Sequence, residues 1–143
     1  MDNVVEATVK LINDKIKFSC KAKDNPEIIT DYIPPLGNNE GYMPLEVFLI
    51  SLATCTSGTV VPLLRRMRKT ISGFEMKIEG VRREEHPTCF SRIVMDMQIQ
   101  SPDLDPGDMD KAIKLAEETY CPVWAMIKNN VIVETKYKII KTN

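Results

Sequence analysis

The sequence predicts an α+β fold in which antiparallel sheets surround one long, central apolar helix. Three observations carry that expectation. Short runs near both ends alternate apolar and polar residues with a period of two, the mark of half-buried strands. Residues 47–64, VFLISLATCTSGTVVPLL, hold no charge in a chain that is 27% charged, so this stretch belongs in a core. A second helical period, at 109–120, follows two further strand-like runs, which mixes the element types in the manner of an α+β domain.

In chain order, Val5, Ala7, Val9 and Leu11 fall on one side of VVEATVKLI, and Ile16, Phe18 and Cys20 on one side of KIKFSCKA. With NDK as the turn between them, the two runs read as a β-hairpin. EIITDYI supplies a third strand. Residues 34–44, PPLGNNEGYMP, have the proline, glycine and asparagine content of a loop. They deliver the chain to a helix starting near Pro44, a residue favoured in a helix's first turn. Glu46 sits near that helix's positive end, and Arg65, Arg66, Arg68 and Lys69 near its negative end. Pro62 is expected to kink the helix or divide it.

In FEMKIEGV, Phe74, Met76 and Ile78 alternate with charged residues, and in FSRIVMDMQIQ the set Ile93, Met95, Met97 and Ile99 forms a core face. RREEHPT joins these runs as a hairpin loop. Met109, Ala112, Ile113, Ala116 and Tyr120 have helical spacing behind an acidic lead. CPVWAMIKNN reads as a short helix with Pro122 in its first turn and Cys121 at or beside its N-cap, and VIVETKYKII closes as a strand. With no internal repeat, residues 1–143 are expected to form a single domain. A helix with no polar face needs cover on every side, more than a chain of this length supplies, so a homodimer is expected.

A formal net charge of −1 offers no electrostatic basis for a nucleic-acid partner. LLRRMRK, residues 63–69, reads as the solvated end of a helix. The uncharged run reaches the lower limit for spanning a bilayer, about 18 residues. Ser51, Thr54, Thr56, Ser57, Gly58, Thr59 and Pro62 dilute it, and the buried centre of a globular fold is the expected reading, with no membrane. MDNVVEATVK lacks the charged-then-apolar layout of a secretory leader, so the expected compartment is the cytoplasm. Cys20, Cys55, Cys89 and Cys121 are widely spaced, without a C-x-x-C pair, and His86 is the sole histidine. No metal site and no cofactor are expected from such a set.

Among the thiols, Cys121 stands where a helix N-terminus favours the thiolate, with a small buried residue as the alternative. Cys55 lies where an apolar surrounding raises a thiol's pKa. Two thiols brought together could pass from a sulfenic acid on one to a disulfide with the other. Cys20 reads as a small hydrophobe on a strand's inner face. His86 reads as structural, and Trp124 as core or pocket wall.

YMPLEVFLISLATCTSGTV, HPTCFSRI and AIKLAEETYCPVWAMI, taken together, resemble the OsmC-like family, which includes the organic hydroperoxide resistance (Ohr) proteins. The resemblance runs from about Gly41 to the C-terminus. It implies an intertwined homodimer with the long helices packed centrally and two active sites at the subunit interface. It also implies thiol-dependent reduction of organic hydroperoxides, with Cys55 as the peroxidatic residue and Cys121 as the resolving one. The Cys55–Cys121 disulfide would then be reopened by a small or protein-bound dithiol. Cys20 and Cys89 match neither role.

Two departures mark this chain. The best-characterised members carry a Glu directly after the Pro; here that place is Leu45, and Glu46 lies nine residues before Cys55. One residue along a helix turns a side chain by about 100°. Glu46 is thus a candidate catalytic carboxylate whose alternative is stabilisation of the helix's first turn, and the spacing resembles a less characterised branch. Those members also activate the thiolate with an N-terminal Arg, whereas no Arg precedes Arg65 here, leaving Lys10, Lys21 and Lys23 as the candidate cations. The departures motivate a second reading, a hydrophobic-ligand-binding or redox-sensing module on the same dimeric fold. A third is a sulfur relay in which Cys121 accepts a persulfide.

Overall fold

The alternating runs at the start of the chain form an antiparallel sheet of β1 (Thr8–Leu11), β2 (Phe18–Lys21) and β3 (Ile28–Thr30), in that spatial order. The structure, a computed structural model, describes residues 3–143; Met1 and Asp2, the first residues of the segment expected to lack a leader, lie outside it. The chain divides into two compact units, Met1–Phe48 and Leu49–Asn143.

In the first unit the expected turn is closed by Asn13, whose Oδ1 accepts from the amides of Lys15 and Lys17, both at 3.0 Å. Short Asn side chains do this because they reach their own backbone two to four residues on. β1 begins only at Thr8, so Val5 and Ala7 precede it. The register aligns Val9 with Cys20 and Cys20 with Ile28, so these three share one face. That face is open: Val9 is 61% and Ile28 44% exposed, and Cys20 is half-buried with its sulfur 3.8 Å from Thr30 Oγ1.

Behind β3, Asp31 is fully buried and organises the loop that follows. Its carboxylate accepts from the amides of Tyr32 at 2.8 Å, Asn38 at 3.2 Å and Glu40 at 3.1 Å. Gly37 is required beside it, because a Cβ there would lie 2.3 Å from both Asp31 Oδ1 and the Tyr32 carbonyl oxygen. Burial pushes the Asp31 carboxyl up, but the three amides and the Lys17 charge outweigh it and hold the group below its ordinary value.

Helix α1 (Pro44–Arg66) starts in the first unit and continues through the second. It buries one stripe, Leu52, Thr56, Val60 and Leu64, spaced one helical turn apart. Pro62 was expected to kink or divide α1, yet the helix runs through it undivided. The proline removes the donor to the Gly58 carbonyl, and both residues are exposed, so water can take that carbonyl. By length and composition α1 could cross a membrane; in this fold it is a core helix.

The second sheet comprises β4 (Gly73–Arg82), β5 (Phe90–Ser101) and β6 (Ile132–Lys141), ordered β4-β5-β6. β4 and β5 form the expected hairpin, but β6 runs parallel to β5, which corrects the expectation of purely antiparallel pairing. The reason is the connection: about 30 residues with helices of their own carry the chain back to the starting end of β5, as a parallel pair requires. The pairing Val81↔Arg92 is followed by Arg82↔Phe90, leaving Ser91 as the extra residue of a bulge. That offset returns Phe90 to the buried side, where its ring occupies the space of a Cβ on Gly80.

Ile93, Met95, Met97 and Ile99 of β5 are fully buried, as the alternation predicts. Also buried are Met109, Ala112 and Ile113 of α2 (Pro106–Leu115), with Leu104 and Ala116. Asp108 caps α2 by accepting from the Asp105 amide at 3.0 Å. A π-helical turn, Ala116–Tyr120, then leads to α3 (Pro122–Ile127). Tyr120 was expected on the apolar stripe of the preceding helix but is 52% exposed, because the wider turn carries it off the α-helical spacing.

A depressed folded-state pKa at Asp31 gives stability that is complete above the unfolded carboxyl value of about 4 and lost as pH falls through the folded value. Asp31→Asn puts an amide donor against three N–H groups. Thermal melts from neutral pH down to about pH 3 are expected to show a lower melting temperature for the variant and a shallower acid decline.

Candidate active site

Cys55 and Cys121 meet in the second unit. Their sulfurs are 3.0 Å apart, with the Cys121 thiol donating to Cys55 Sγ. Closure to a disulfide therefore needs only about 1 Å of approach. Cys121 is 2% exposed and Cys55 is half-buried, so Cys55 is the less buried residue of the pair.

Local structure places each sulfur. Cys55 is in the middle of α1, immediately before Thr56 of the buried stripe. Cys121 is the N-cap of α3, with extended backbone at φ −86° and ψ 104° and Pro122 taking the first helical position. As N-cap it accepts at Sγ from the Trp124 amide, at 3.4 Å. The preceding π-helical turn ends on the bond from the Cys121 amide to the Ala116 carbonyl, at 2.9 Å, so its extra residue sets the direction in which Cys121 enters α3.

A third group touches the pair. Thr56 Oγ1 lies 3.7 Å from Cys121 Sγ and is fully buried. The hydroxyls of Thr54 and Thr59 donate to carbonyls one turn back in the helix, those of Ile50 and Cys55. Thr56 instead turns to the sulfur. Between the neutral groups either can donate; toward a Cys121 thiolate only the Thr56 hydroxyl can.

Burial pushes the Cys55 thiol above its ordinary value, and the Cys121 side chain beside it pushes the same way. The Val123 amide, bonded to Cys55 Sγ, opposes both without cancelling them. The amides of Val123 and Trp124, consecutive in α3, thus serve one sulfur each.

The other candidates have different surroundings. Glu46 is in the first unit, where its Oε1 accepts from the Met43 amide at 2.7 Å at the head of α1. Lys10, Lys21 and Lys23 gather around a groove of the first unit with Glu6, Thr8 and Ser19. Cys89 and His86 are in the β4–β5 loop, where the His86 carbonyl accepts from Arg83. In the basic run after α1, Lys69 is tied down: its Nζ donates to the Asp103 carbonyl at 3.0 Å and pairs with Asp108 at 3.4 Å. Trp124 is 2% exposed and meets the pair through its backbone N–H. Among the described residues, no three His, Cys, Asp or Glu side chains gather so as to hold a metal ion.

The contacts of Thr56 and of the Val123 and Trp124 amides were not foreseen from the sequence. A threonine directly after Cys55 in TCTSG was the available signal for the first.

Residues 37–136 match the family described as OsmC-like protein. The protein YhfA of Escherichia coli K12 is 29% identical over 97 residues, which are 68% of this chain and 72% of that one. Among solved structures, a hypothetical protein from Aquifex aeolicus VF5 superposes with a TM-score of 0.87 at 24% identity, covering 99% of this chain and 100% of that one. An organic hydroperoxide resistance protein OsmC from Legionella pneumophila gives 0.70 at 14% identity, covering 94% and 96%. The long apolar helix, the two three-stranded sheets and the match over residues 37–136 agree: this chain belongs to the OsmC-like family.

Proposed function

We propose that the protein reduces organic hydroperoxides with the Cys55–Cys121 pair, as a thiol peroxidase of oxidative-stress defence. The observation that carries this reading is the 3.0 Å approach of two sulfurs that are 66 residues apart in sequence. Membership of the OsmC-like family, and the likeness in fold to a structure named for organic hydroperoxide resistance, support it.

In this reading the Cys55 thiolate attacks the outer oxygen of R–O–O–H. The O–O bond breaks, Cys55 becomes a sulfenic acid, and the departing alkoxide takes a proton to leave as R–OH. The Cys121 thiolate then attacks Cys55 Sγ and displaces hydroxide, which leaves as water, and the disulfide forms. An external dithiol supplies the two electrons that restore both thiols. The uncharged run around Cys55 suits an organic hydroperoxide better than hydrogen peroxide. Glu46 contributes as a positioning residue, its carboxylate closing the first turn of the helix that carries Cys55.

The proposed working form is a homodimer. Support comes from apolar surface that a single chain leaves open, including Val9 and Ile28 on the first sheet and Ile50 on α1, at 61%, 44% and 45% exposure.

Cys55→Ser is expected to abolish turnover of cumene hydroperoxide, and Cys121→Ser to perform one reaction and stop as a sulfenic acid that a dimedone-type reagent captures on Cys55. Full turnover by Cys55→Ser would sink the proposal. The first step should also accelerate with pH through and above the ordinary thiol range, because the Cys55 pKa is raised and the thiolate is the nucleophile. In Cys121→Ser, which removes one cause of that rise, the rate profile is expected to move to lower pH. Sedimentation of the reduced protein should give twice the mass of the chain.

A further inference from the structure

The two sulfurs of the pair differ in what surrounds them, and the difference sets a direction for reopening the disulfide. Cys121 is 2% exposed, and its Sγ accepts from the Trp124 amide at 3.4 Å and lies 3.7 Å from the Thr56 hydroxyl, which can donate to it. Cys55 is the less buried residue of the two, and the Val123 amide is bonded to its sulfur. Thiol–disulfide exchange needs an approach in line with the S–S bond, and the sulfur that leaves must accept the electron pair of the broken bond. A departing sulfur surrounded by N–H and O–H donors does so at lower cost, since hydrogen bonds to a charged acceptor are the strong ones.

We infer that the Cys55–Cys121 disulfide is opened from one side: an external thiolate attacks Cys55 Sγ, Cys121 Sγ departs, and Thr56 is the positioning residue that receives it. In the step R–S⁻ adds to Cys55 Sγ, forming a mixed disulfide. The Cys55–Cys121 bond breaks, and its electron pair stays on Cys121 as a thiolate held by the Thr56 and Trp124 donors. A second thiol of the reductant then attacks the mixed disulfide and releases Cys55. The reductant is a dithiol, and its two electrons leave both cysteines reduced while it becomes a disulfide itself.

Thr56 suits this task because the rest of α1 does not demand its hydroxyl. Thr54 and Thr59 spend theirs on helix carbonyls, whereas Thr56 is turned from the helix to a sulfur on another element. Sulfur in a neutral thiol or a disulfide is a weak acceptor. The contact therefore strengthens when Cys121 becomes the anion, which is when the bond to Cys55 breaks.

The inference rests on the pair cycling through a disulfide, as in the proposed function, and its test does not use a hydroperoxide. The protein is oxidised with diamide, exposed briefly to 2-mercaptoethanol, capped with an alkylating agent that blocks the freed thiol, and mapped by mass spectrometry. The expected product carries 2-mercaptoethanol on Cys55 and the alkyl cap on Cys121, in about tenfold excess over the reverse. Thr56→Val keeps the shape and deletes the hydroxyl. It is expected to slow opening about fivefold and to move the partition toward attack at Cys121, while Thr56→Ser restores both. A change confined to packing would not alter which sulfur is attacked. Mercaptoethanol on Cys121 as the main product, or a Thr56→Val protein with wild-type rate and partition, overturns the inference and leaves the peroxidase reading standing. Failure of diamide to form the Cys55–Cys121 bond removes both.

Discussion

The bond from the Trp124 amide to Cys121 Sγ is the interaction on which the site depends. It is an ordinary helix cap with sulfur in the place usually held by a serine or aspartate oxygen, and it satisfies one of the donors that every helix start leaves unpaired. One sulfur thereby caps a helix and meets a second sulfur. The cap fixes where Cys121 points, Pro122 fixes how α3 begins, and the π-helical turn fixes how the chain arrives. Cys55 requires only that α1 bury its Leu52–Thr56–Val60–Leu64 stripe, and the two sulfurs are then brought to 3.0 Å.

Such an arrangement sets neutral hydrogen-bond donors against the pair. Desolvation raises the Cys55 thiol and the Val123 N–H of α3 opposes it, while the Trp124 N–H and the Thr56 hydroxyl lie against the partner sulfur. Fixed dipoles of this kind act at short range and lose little to salt, unlike a surface lysine or arginine whose field is screened within about 10 Å at ordinary ionic strength.

Much of this was legible in the residues. Period-two alternation located β4 and β5 and named the buried set Ile93, Met95, Met97 and Ile99, because a strand's two faces are separated by its pleat and only one met the core. The start of α1 at Pro44 and the N-cap position of Cys121 followed from rules that depend on single residues. What local reasoning missed was set by distance or by count. The parallel partner of β5 depends on where a long connection returns, which no window of ten residues contains. Tyr120 left its apolar stripe because one added residue in a turn changes every later orientation, and hydrophobic spacing is blind to a π-helical turn. Thr56 looked like dilution of an apolar run; its value lies in the sulfur that comes to it from 65 positions away.

The parallel course of β6 has a consequence for how the molecule assembles. A hairpin such as β4–β5 can zip from its turn as soon as both strands exist, but β6 must close a loop of about 30 residues before its first ladder bond forms, at an entropic cost that slows the step. Cys121 sits inside that loop. During synthesis the helix bearing Cys55 is therefore made early, whereas Cys121 follows 66 residues later, within the connection to the ten-residue strand Ile132–Lys141. A nascent chain that ends before Cys121 presents Cys55 without its companion, so the cysteine pair is completed only with the crossover that precedes the final strand.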